Sequence, residues 1–227
     1  YTGRSPKGPL EDMSKFNGYI QTDGYSGYTH LAERAGITHL SCWVHARRNF
    51  DKALSNDRER ASVVLKLIQI LYAIEEMARE AKMTHEQRHE LRLDKALPVI
   101  NNIGSYIYNE RGKVLPRSPI GMAFEYCANR WVGLQNYLKN GMLEIDSNLV
   151  ENAIRPLALG RKNYLFAGNH QAAEQIAMFY SFFGTCKILN PKPRNNPKKI
   201  NCKILPSAID LIGLSGITCV IMLMKSI

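Results

Sequence analysis

Apolar and polar positions along this 227-residue chain follow two different periods. Tyr19-Ile20 leads into Asp23, after which Gly24-Tyr25-Ser26-Gly27 forces a turn, so a strand delivers Asp23 at its C-terminal end. Thr38, Leu40, Cys42 and Val44 alternate with His39, Ser41 and Trp43, which predicts a second strand, followed by a helix from His45 through Phe50. From about residue 58 to 140 the period becomes helical. Val64, Leu67, Ile68, Leu71, Ile74, Met77 and Ala81 make one apolar stripe. Thr84 with Gln87 gives a capping box, and Ser118-Pro119 is an N-cap followed by proline at the first helical position. Ile120, Phe124, Cys127, Trp131, Leu134 and Leu138 continue the spacing until Asn140-Gly141 stops it. These stripes are core rather than a cofactor box. Beyond them Asn148 caps a helix with Glu151 at its third position, and another helix runs from Gln171 to Lys187.

After Lys187 the pattern breaks. Residues 188–203 are rich in Asn, Lys, Ile and Pro without periodicity, and 204–227 are abruptly apolar without amphipathic spacing. Such a tail is expected to be foreign coding sequence, for example the product of a frameshift. Its most membrane-like stretch, Leu211 to Met224, is uncharged but shorter than the ~20 apolar residues that a span needs, so no membrane segment is expected.

Composition adds a partner class. The chain is 45% hydrophobic, enough to bury a core, and its net charge of +10 favours polyanions. The charge is uneven: between Glu151 and Lys203 nine Lys or Arg face two acids, so the basic surface is expected near Glu151. The five cysteines (42, 127, 186, 202, 219) are odd in number and irregular in spacing, which fits a reduced cytoplasmic setting better than a disulfide framework.

Two acids carry the candidate chemistry. Asp23 lies in Gln21-Thr22-Asp23-Gly24-Tyr25-Ser26-Gly27-Tyr28, and Glu151 in the run from Leu143-Glu144-Ile145-Asp146-Ser147-Asn148 to Glu151-Asn152-Ala153-Ile154-Arg155-Pro156. Distant acids in distinctive settings point to a divalent-metal site for phosphoryl transfer, although a glutamate at the third position of a capped helix also has a sufficient structural reason to be there. With Cys42-Trp43-Val44-His45-Ala46-Arg47-Arg48-Asn49-Phe50 and Leu159-Gly160-Arg161-Lys162-Asn163-Tyr164-Leu165-Phe166-Ala167-Gly168, these strings make the chain resemble the Asp-Asp-Glu transposases of the insertion sequence 66 family over roughly residues 1–187.

The resemblance implies an α/β, ribonuclease-H-like catalytic domain interrupted by an all-helical insertion. Residues 1–56 would be a partial core with the second acid, 57–141 the insertion, 142–187 the return to the core with the Glu-bearing helix, and 188–227 the unrelated tail. Asp23 and Glu151 would be the second and third acids of the triad and would ligate Mg²⁺ (or Mn²⁺), hard cations suited to carboxylates. The metals would activate water or a DNA 3′-hydroxyl for in-line displacement at phosphorus. DNA, as transposon ends and target, would be the partner. Multimer formation and association with the bacterial nucleoid also follow from the family. Arg47, Arg48, Arg155, Arg161 and Lys162 are natural phosphate contacts, each equally readable as a solvated charge. Tyr164 and Phe166 read as stacking platforms or as core. Cys42-x-x-His45 carries over as the family's motif: a zinc half-site needs a second ligand pair that the spacing does not supply, which leaves packing and positioning.

The family's first aspartate lies on the opening strand. The sole aspartate before Asp23 is Asp12, in a polar, loop-like run. The opening strands are therefore expected to be missing and the chain to be an inactive remnant, with a basic, non-enzymatic DNA-binding module as the competing reading. His85-Glu86-Gln87-Arg88-His89 matches the zinc-peptidase pattern H-E-x-x-H. The flanking Glu90, Arg92, Asp94 and Lys95 instead read as an exposed charged helix that matches by accident.

Overall fold

A computed structural model describes residues 14–22, 33–164 and 168–189 of the chain. Asp12, Asp23, Phe166 and the tail from residue 190 lie outside the described residues. The elements run in the order β1 (Gly18–Thr22), β2 (Ile37–Ser41), α1 (Trp43–Ala53), α2 (Arg58–Glu80), α3 (His85–Leu91), a π-helical turn (Arg92–Ala96), α4 (Leu97–Glu110), α5 (Pro119–Asn129), α6 (Trp131–Gln135), α7 (Asn148–Tyr164) and α8 (His170–Leu189). The described residues are thus mostly helical with one small parallel sheet, β1 beside β2. Its register is set where the Gly18 N–H donates to the Gly36 carbonyl at 2.8 Å.

These elements fall into two units. The larger holds residues 19–22 and 37–147. Its core grows from α1, which buries Trp43, Ala46, Phe50 and Ala53 and packs on α2 and α5. Phe50 meets Phe124 edge-on at 5.7 Å, and Trp43 meets Trp131 at 6.3 Å, both geometries that suit ring quadrupoles. The Trp43 indole N–H is satisfied inside the core by the Leu134 carbonyl at 2.9 Å. Such burial is the main stabilising term, about 25 cal/mol per Å² of apolar surface removed from water.

Several sequence expectations hold. The Thr84–Gln87 capping box is complete in both directions, and the Ser118 hydroxyl accepts from the Gly121 N–H at 3.1 Å with Pro119 opening α5. Others need correction. The second strand stops at Ser41 and the helix starts at Trp43, because residues 40–43 are all buried and no alternation reaches solvent. On α2 the buried face runs through Ala61, Val64, Ile68, Leu71, Ile74 and Ala78, while Met77 and Ala81 are exposed. The stripe from Ile120 does not continue unbroken to Asn140, because Arg130 at φ −119° separates α5 from α6.

Arg92 is the largest correction. It is fully buried, not part of an exposed charged face. Its Nε and Nη2 donate to Glu75 at 2.7 and 2.9 Å, and its remaining donors reach the carbonyls of Tyr137, Asn140 and Leu143 at 2.7–2.8 Å. Five satisfied N–H groups and a tyrosine face beneath the guanidinium make burial of the charge tolerable.

The smaller unit comprises the described residues 14–18, 33–36, 148–164 and 168–189. Gly36 (φ 83°) is required there, since a Cβ would lie 2.3 Å from Asn17 Oδ1. Helix α7 begins at Asn148 itself, one residue earlier than a capping role would place it, and Pro156 interrupts its hydrogen-bond ladder. Helix α8 packs against α7, and Asn169 Oδ1 caps it by accepting from the Ala172 N–H at 2.8 Å. Among the described residues no helix is long and apolar enough to cross a membrane.

Candidate active site

β1 ends at Thr22, the residue before Asp23. Thr22 is buried, and its hydroxyl lies 2.7 Å from His39 Nε2 on β2. Asn136 Nδ2 donates to the His39 carbonyl at 2.7 Å, so the strand end is held from a third element. Burial, helped by the Arg130 charge, pushes the His39 imidazole below its ordinary 6.5 and keeps it neutral. Asp23 itself lies outside the described residues.

Cys42 occupies the junction between β2 and α1 and is completely buried. Its Sγ accepts from both the Ser147 N–H (3.3 Å) and the Ser147 hydroxyl (3.2 Å). His45, one turn on, is half-buried, with Arg48 Nη1 3.5 Å from its Nε2. The cysteine of this motif therefore links strand to loop through its sulfur. Among the described residues no group of three or more His, Cys, Asp or Glu side chains is gathered for a metal.

The segment leading to α7 is held at every residue from 143 to 147. Besides Leu143 on Arg92 and Ser147 on Cys42, Gln21 Nε2 donates to the Glu144 carbonyl at 3.1 Å, and the Trp43 N–H donates to the Ile145 carbonyl at 3.2 Å. The Tyr72 hydroxyl donates to Asp146 Oδ2 at 3.0 Å; burial first, and then the Asp146 charge, raise the phenol well above its ordinary value. Gln21 stands two residues before Asp23 and Glu144 seven before Glu151, so the larger unit joins the approaches to both acids. Glu151 sits half-buried in the first turn of α7, where the helix dipole favours a carboxylate.

The basic candidates divide by position. Arg47 and Arg48 are exposed on α1, with Arg47 3.9 Å from Asp51, and Arg155 and Lys162 are exposed on α7. Arg161 lies on α7, but its side chain and that of Tyr164 are outside the described residues. In the H-E-x-x-H run, His85 and Glu86 are exposed, and His89 places Nδ1 2.9 Å from the Leu138 carbonyl. Tyr72, Asp146, Ser147 and His39 were not singled out by sequence reasoning. Asp146 and Ser147 stand inside the quoted Glu151 string, but Tyr72 and His39 read as ordinary helix and strand residues.

The profile of the transposase IS66 family matches residues 1–175, and the chain belongs to that family. It is 33% identical over 199 residues to uncharacterized protein y4qI of Sinorhizobium fredii (strain NBRC 101917 / NGR234), and 29% identical over 197 residues to uncharacterized protein y4jD of the same organism. Each comparison covers 84% of this chain but only 36% and 38% of the respective relative, so the chain spans little more than a third of their length. No solved structure matches.

Proposed function

We propose that this chain is the part of a DNA transposase that carries the second and third carboxylates of a ribonuclease-H-like catalytic centre, Asp23 and Glu151. The observation that carries the reading is the Gln21–Glu144 hydrogen bond, which ties the strand running into Asp23 to the segment running into Glu151. Two carboxylates, one of them half-buried in a first helical turn, suit a hard divalent cation such as Mg²⁺ or Mn²⁺. A bound pair of such ions would supply an activated oxygen nucleophile and offset charge on the leaving oxygen. Asp23 and Glu151 would hold the ions. Arg47, Arg48, Arg155, Arg161 and Lys162 would neutralise phosphates and set DNA position rather than sequence. Asp23 and Glu151 are assigned as two of the three carboxylates that such a centre uses.

Mn²⁺ titration of the full chain, followed by electron paramagnetic resonance, tests the reading. Saturable binding that Asp23→Asn and Glu151→Gln each weaken is the expected result. Unchanged binding in Glu151→Gln would sink it and leave a non-enzymatic DNA-binding module.

A further inference from the structure

Four charged side chains form a continuous relay inside the helical block. Arg92 grips Glu75, and Glu75 Oε2 also accepts from Arg88 Nε (2.9 Å) and Nη2 (2.6 Å). Arg88 turns its other edge to Glu144, with Nη1 to Oε1 at 3.0 Å and Nη2 to Oε2 at 2.9 Å. Arg88 thus bridges two carboxylates, one almost fully buried and one partly open.

Stability alone does not account for this arrangement. A buried ion pair replaced by well-packed apolar residues is often neutral or even stabilising. What an apolar replacement could not do is hold three backbone carbonyls. Tyr137, Asn140 and Leu143 converge on the Arg92 guanidinium, and Glu144 is fixed by Arg88 and Gln21. The planar fork of arginine suits this task, because its donors leave at fixed angles and lose little freedom per bond. The two arginines come from α3 and the π-helical turn, where the extra residue of the wider turn re-aims side chains. The carbonyls that Arg92 holds lie in residues 137–143, at the head of the segment that runs into α7.

We infer that Arg88 and Arg92 are positioning residues: through the Glu75–Glu144 relay the helical block templates residues 140–147, the last stretch of the larger unit before the Glu151 helix. This gives the block a task in the reaction beyond spacing the two acids along the chain. The inference rests on the proposed role of Glu151 as a metal ligand.

The test uses the full chain and two readouts. Arg88→Met leaves Glu75 paired with Arg92 and Glu144 open to water, so the fold should survive, as circular dichroism would report. Amide exchange at Leu143 to Ser147 should accelerate while exchange in α2 and α5 stays slow. Mn²⁺ affinity should fall by about tenfold, the scale on which groups supporting a ligand act. Arg88→Lys, which keeps the charge but not the fork, should recover only part of that loss. Normal Mn²⁺ affinity in Arg88→Met would overturn the inference while leaving the metal site standing. No Mn²⁺ binding by the unaltered chain would overturn the proposed function, and this inference with it. If Arg88→Met unfolds, Glu144→Gln asks the same question from the exposed end, and unchanged exchange at 143–147 together with unchanged Mn²⁺ affinity there would equally overturn it.

Discussion

Glu75 concentrates the electrostatics of the larger unit. Burial works to raise its carboxyl, and the Arg92 and Arg88 guanidiniums outweigh that, holding it below its ordinary 4.5. A depressed acid contributes stability above the unfolded value and loses it as pH falls through the folded one. Urea unfolding should therefore show a drop in stability below about pH 4.5 that Glu75→Gln lacks. At neutral pH that variant should cost ~3–5 kcal/mol, because the buried Arg92 guanidinium loses its counter-charge. His39 acts in the same direction earlier: neutral in the fold and below its ordinary 6.5, it penalises the native state once the unfolded chain protonates. Replacing it with Gln should flatten the stability profile between pH 6.5 and the Glu75 region, read from urea midpoints in the same buffers.

At the scale of elements, local chemistry was legible and tertiary chemistry was not. The caps of α3 and α5 could be read from Thr84, Gln87, Ser118 and Pro119 because their partners lie within three residues. Glu75 and Arg92 could not, since an acid and a base seventeen residues apart look exposed until α2 and the π-helical turn meet. The drift of the α2 stripe from Met77 to Ala78 has the same origin: a helical period fixes a face only to within a residue, and packing chooses the register. Of the candidate site, the strings around both acids were visible, whereas Tyr72 read as an ordinary helix residue because its partner Asp146 lies 74 residues away. Two substitutions probe these elements. Ser118→Ala should cost ~1 kcal/mol by thermal or urea unfolding, as N-cap loss does. Gly133→Ala should cost more, because its Cβ would lie 2.3 Å from the buried Ser41 Oγ and the serine or α6 must shift to admit it; such overpacking costs ~1–3 kcal/mol.

For the chain as a whole, the charge of +10 makes a prediction independent of catalysis. If the five named basic residues each meet one phosphate, the logarithm of the duplex DNA affinity should fall with that of salt at a slope of about −4 to −5. Exchanging Arg47 and Arg48 for Ala should reduce the slope by about 2, measured by fluorescence anisotropy over a salt series. A slope unchanged in that double variant would remove α1 from the DNA-contacting surface.

The bonds from Gln21 to Glu144 and from Cys42 to Ser147 span 123 and 105 residues of sequence. Long loops close late, after local helical contacts have formed. On a ribosome, β1 and Cys42 therefore emerge more than a hundred residues ahead of their partners, and the helices between them can assemble first. The helical block can then serve as the jig on which the two ends are brought together, and residues 143–147, the stretch that announces Glu151, are expected to join this unit last.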